Sequence, residues 1–122
     1  MLPVTPKWVQ VFTQVTAGSS QGFDLSAGYQ HLTVFVTGYG TISTGTLIVE
    51  ESDQQGFGGT WSQIDSIDLT AVTGGSTTGI QQASHEPVSA PGTFAYRWVR
   101  LRIGTSVTGS GGSVSVSLLV SP

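Results

Sequence analysis

Alternation of apolar and polar residues with a period of two runs through most of the chain. From Trp8 to Val15 it places Val9, Val11 and Val15 on one face and Trp8, Gln10, Phe12 and Gln14 on the other. In His31 to Gly38, Leu32, Val34 and Val36 oppose Thr33, Phe35 and Thr37. The segment Gly45 to Ser52 sets Leu47 and Val49 against Ile48 and Glu50. Phe94 to Ile103 sets Val99, Leu101 and Ile103 against Trp98, Arg100 and Arg102. Ser113 to Val120 aligns Val114, Val116, Leu118 and Val120, with serines mostly opposite. A repeat of two places alternate side chains on one face of an extended strand, and these runs are rich in the β-branched and aromatic residues that suit one.

Turn signals fall at Ala17–Gln21, Gly38–Thr46, Gln54–Gly59, Thr73–Gly79, Gln82–Gly92 and Gly104–Gly112. They recur about every dozen residues, the spacing of a sandwich or barrel. The only stretch able to turn helically is Asp65 to Val72, which Thr73-Gly74-Gly75 interrupts, and no window is rich in Ala, Leu, Glu and Lys. The expected fold is all-β: an antiparallel two-sheet β-sandwich, jelly-roll-like, of seven or eight strands. The strand from Phe94 and the strand ending at Val120 are expected to form a hairpin. Residues 8–122 form the single sandwich domain. Residues 1–7, with Pro3 and Pro6, read as an extended N-terminal arm, either frayed or docked on a neighbour. Its partner-contact candidates are Leu2, Pro3, Val4, Pro6 and Lys7.

Composition narrows the chemistry. The chain has 122 residues, enough for one core without staples. Only 9% of its residues are charged, against roughly a quarter in an average domain. Four basic residues are too few for a phosphate-neutralising footprint, so no nucleic acid is expected as a partner. Cysteine is absent, which removes thiol catalysis, disulfides and thiolate zinc sites. No apolar run suggests a membrane span, and Met1 to Lys7 does not read as a secretory signal.

Candidate chemistry is sparse. The densest acidic group, Glu50, Glu51 and Asp53, splits between opposite sheet faces and offers too few oxygens for calcium, so neither a metal nor another cofactor is expected. His31 and His85 have no spacing that brings them together, and no serine sits in a nucleophile elbow. The expectation is a protein that is not an enzyme. Arg97, Arg100 and Arg102 form the only basic cluster. Arg100 is expected to pair across strands with Glu50 or Glu51, as a bidentate tie. The rival reading is an arginine-aromatic patch that binds a carboxylate or a sugar acid. Trp8, Trp61 and Trp98 fit either the core and subunit contacts or a sugar-stacking platform. The loop from Gln81 to Gly92, which contains Pro87 and Pro91 with His85-Glu86 exposed before them, is either functional or a plain connection.

Gly45-Thr46-Leu47-Ile48-Val49-Glu50-Glu51-Ser52-Asp53, a glycine-rich turn and Thr60-Trp61-Ser62-Gln63-Ile64 resemble a pattern in small β-sandwich proteins of tailed bacteriophage virions. The stretch Tyr96 to Ile103, followed by Gly112-Ser113-Val114-Ser115-Val116, is similar to their closing hairpin. The resemblance implies a capsid decoration (cement) protein, located in the virion and assembled in the host cytoplasm. Its implied partners are the major capsid protein and itself, and three-fold shell positions favour a trimer. The alternative is a carbohydrate-binding or receptor-binding module of a phage tail.

Overall fold

A computed structural model describes residues 5–24, 31–52, 61–75, 77–84 and 98–121. Eight strands appear in chain order: β1 (Lys7–Val15), β2 (Phe23–Asp24), β3 (His31–Tyr39), β4 (Thr44–Ser52), β5 (Ser62–Asp68), β6 (Thr77–Ser84), β7 (Trp98–Thr108) and β8 (Ser113–Ser121). A short 3₁₀ segment, Leu69–Gly75, lies between β5 and β6. The strands form two four-stranded sheets, one in the order β1-β8-β3-β6 and the other β2-β7-β4-β5.

The pairing has a simple rule. β1 pairs with β8, β2 with β7, β3 with β6 and β4 with β5, all antiparallel. Such a chain is one long antiparallel hairpin, with β4–β5 at its tip, rolled so that β3 also meets β8 and β4 also meets β7. This is the jelly roll. The strand order that alternation left open is therefore settled by pairing.

The inward faces carry the core. Leu32, Val34, Val36, Val114, Val116, Leu118 and Val120 come from one sheet; Leu47, Val49, Ile67, Val99, Leu101, Ile103 and Val107 come from the other. All are buried, and burying each such side chain contributes about 1.5–3 kcal/mol. Leu69 and Val72 of the 3₁₀ segment, both fully buried, close one end together with Ile42. Asp68 starts that segment: its carboxylate accepts from the backbone N–H and hydroxyl of Thr70, at 3.1 and 2.9 Å. This is the usual way an aspartate satisfies a first turn.

Five expectations need correction. β7 and β8 are not a hairpin, because they belong to opposite sheets and face each other across the core. Alternation tells which residues point inward but not whether two inward rows lie side by side or face to face. β7 also runs to Thr108 rather than ending at Ile103, and only Gly109–Gly112 turns. That turn stacks on the chain at Thr41, whose N–H donates to the Ser110 carbonyl at 3.0 Å.

In β1, Phe12 points into the core rather than outward with Trp8. A β-bulge between Gln10 and Phe12 inserts one residue, so Phe12 rather than Val11 sits opposite Val116. A second irregularity follows before Val15, with Gln14 at a φ of 47°. Lys7, assigned to the arm, is the first residue of β1 and pairs with Val120. Finally, β5 and β6 are strands that weak alternation concealed: β6 takes in Thr77–Gly79 and Gln82–Ser84 of the two expected turns, while 85–92 lie outside the described residues.

Candidate functional site

Two outward surfaces gather the functional side chains. On the sheet containing β7 and β4, Glu50 lies opposite Arg100 and Ile48 lies opposite Arg102. Residues two apart on β7 share a face, so both guanidiniums reach the one carboxylate. Arg100 Nε donates to Glu50 Oε1 at 2.9 Å and Arg102 Nε donates to the same oxygen at 3.0 Å. Arg102 also donates from Nη2 to Glu50 Oε2 at 3.4 Å. Arg102, not Arg100, thus makes the two-point contact. On its far side, the Arg100 guanidinium lies 4.5 Å over the centre of the Trp61 ring, a cation–π arrangement.

The electrostatics follow from that geometry. Burial alone would raise the Glu50 carboxyl, but hydrogen bonds from Arg102 and Arg100, together with their charges, hold it below its ordinary value. Its contribution to stability is present above the unfolded-state value and is lost as pH falls through the lowered folded value. Arg102 is raised by its hydrogen bond to Glu50, against a smaller effect of burial. Sequence spacing alone did not assign Arg102 as a partner of Glu50. Its place two residues from Arg100 was the available signal.

Glu51 has the opposite environment. It pairs with Val99 on β7 and shares the core side of β4 with Val49. Its Oε2 is buried, and no donor among the described residues reaches it. Burial pushes this carboxyl up. The folded value lies above the unfolded one, so the charged form costs stability at neutral pH and the cost disappears on acidification below the unfolded value. Glu51→Gln is therefore expected to raise Tm at pH 7 by about 3 °C and to leave it unchanged well below the carboxylate range; calorimetry at the two pH values checks this.

The other surface lies on the outward face of the sheet containing β1, β8 and β3. Trp8 is 59% exposed, the largest exposed apolar group among the described residues. Its ring sits 4.8 Å from that of Phe35, centre to centre, tilted by 32°. Leu119 of β8 lies directly opposite Trp8, and farther along the same face the Ser117 hydroxyl donates to Gln10 Oε1 at 2.9 Å and the Ser115 hydroxyl lies 3.5 Å from the Tyr39 hydroxyl. The three tryptophans do not make one platform, since Trp8 lies on one sheet while Trp98, in β7, and Trp61, stacked by Arg100, lie on the other.

Among the described residues, no group of three histidines, acids or cysteines could hold a metal. Among the same residues, no helix is long and apolar enough to cross a membrane. Pro6 is exposed just ahead of β1, while Leu2, Pro3 and Val4 lie outside the described residues, as do Asp53, His85, Glu86 and Arg97. The backbone of His31 opens β3, paired with Ser84 and Ser121.

The chain matches no protein-family model and no curated protein.

Proposed function

We propose that this chain is a structural, non-enzymatic component of a bacteriophage virion, a capsid decoration protein that binds the assembled head and bridges its subunits. The observation that carries the reading is the uncharged face around Trp8 and Phe35. A half-exposed tryptophan stacked on a second aromatic, with Leu119 opposite it and hydroxyl and amide groups farther along the face, has the make-up of an interface anchor with a polar rim. Pro6, exposed, directly precedes β1, and in this reading the N-terminal arm contacts the same partner. The face depends little on charge, so binding there tolerates salt.

The jelly roll is common to shell and lectin domains, and the fold alone does not select between them. The phage-like segments in residues 45–67 and 94–120 favour the shell, with the major capsid protein and further copies of this chain as partners. Trp8→Ser is expected to weaken association with purified heads, and self-association, by about a hundredfold, the loss of a central aromatic anchor worth 2 kcal/mol or more. Because Trp8 is on the surface, thermal stability should change by less than about 1 kcal/mol. Co-sedimentation with heads and sedimentation velocity of the free protein are the measurements. A strict monomer that ignores heads would remove the proposal.

A further inference from the structure

Among the described residues, the arginine pair on the opposite sheet has donors that its contacts do not use. Two guanidiniums share one carboxylate, so the cluster carries one net positive charge. Arg100 spends only its Nε on Glu50, and its Nη1 and Nη2 donate no hydrogen bond among the described residues. Arg102 Nη1 is likewise uncommitted. The side chains are 26% and 35% exposed, while the Glu50 side chain beneath them is at 8%. Hydrogen-bonded to Glu50 and stacked on Trp61, Arg100 is held in place and stays partly exposed. A fork immobilised in this way loses little entropy when it binds, and its planar geometry matches a carboxylate.

We propose that Arg100, Arg102 and Trp61 form a binding site for the carboxylate of an acidic sugar, on the sheet face opposite to that of Trp8 and independent of the decoration reading. A tie between strands needs one arginine per carboxylate; the second cation is surplus to that role. Nucleic-acid phosphate is disfavoured because the whole chain holds four basic residues. A sugar acid fits better than a bare anion because aromatic surface flanks the cations. Trp61 lies under Arg100, and Trp98, partly exposed, precedes Arg100 by two residues on the same side of β7. Ring C–H groups can rest on that surface while the carboxylate meets the guanidiniums.

The test is an NMR titration of the intact protein at constant ionic strength, following the arginine Nε–H and tryptophan indole signals. Sodium glucuronate is the probe, with sodium acetate supplying the carboxylate alone and glucose the ring alone. Saturable shifts with glucuronate, at least about fivefold tighter than with acetate and without a response to glucose, are expected. Arg102→Gln should weaken glucuronate about tenfold, the loss of one charge-assisted contact, and Trp8→Ser should leave it unchanged. Equal binding of acetate and glucuronate, no saturable shift, or indifference to Arg102→Gln would overturn the proposal. Should Arg102→Gln fail to fold, the three-ligand comparison on the wild-type protein decides.

Discussion

Replacing Gly38 by alanine is expected to destabilise the protein by about 3 kcal/mol, at the upper end for overpacking, and to lower Tm by roughly 12 °C. Gly38 lies in β3 opposite Val114, on the side facing the 3₁₀ segment. A methyl group there would land on the Val72 carbonyl oxygen and carbon, and on a Val72 side-chain methyl. Two of these are backbone atoms, which no rotamer change can move aside. Val72 is itself fully buried, so the cap over the end of the core must lift as a unit. The Thr73 hydroxyl accepts from the Ile42 N–H at 2.7 Å, and Gly74 donates to the Gly40 carbonyl at 2.7 Å. Lifting the cap strains those bonds as well. Gly74→Ala is the control for a methyl group meeting no neighbour, although its φ of 74° adds backbone strain of its own. A Gly38→Ala protein melting with the wild type would show that the cap yields freely.

Leu101→Ala is expected to cost about 3–4 kcal/mol, as a buried leucine exchanged for alanine loses its transfer energy and leaves a cavity. Leu101 is fully buried in β7, where it pairs with Val49 of β4. Its backbone is clasped on the other side by Ser20, whose N–H donates to the Leu101 carbonyl at 2.8 Å and whose hydroxyl accepts from the Leu101 N–H at 2.9 Å. With its strand held on both flanks, the site has little freedom to collapse around the missing atoms. Urea unfolding should show a lower midpoint with an unchanged slope. A midpoint shift below about 1 kcal/mol would mean that the two sheets close over the gap.

Alternation was most informative in the central strands, where both neighbours are present and one face is dry. Val34, Val36, Val116, Leu118, Val49 and Leu101 all point inward as their spacing requires. It misled at the edge, where β1 has a partner on one side only and a bulge turned Phe12 to the core at small cost. It was silent on β5 and β6, whose residues Ser62–Asp68 and Thr77–Ser84 mix polar and apolar groups without a clean period. A pairing of Arg100 with Glu50 or Glu51 was legible because an arginine on a sheet rarely lacks a partner; the register selects Glu50. Arg102's two-point hold on Glu50, the stacking of Arg100 on Trp61 and the meeting of Trp8 with Phe35 depend on register between distant strands. No local pattern encodes that register.

The nested pairing also dictates the order in which the chain can assemble. Only β4 and β5 are neighbours in both sequence and space, whereas β1 must find β8 after nearly the whole polypeptide has been made. Closing such distant ends costs loop entropy before any contact rewards it, which places the molecule among slow folders, in the range of milliseconds to seconds. Until β1 arrives, the β8 flank stays open to the same strand from another copy, so crowded synthesis favours exchange of that strand between chains.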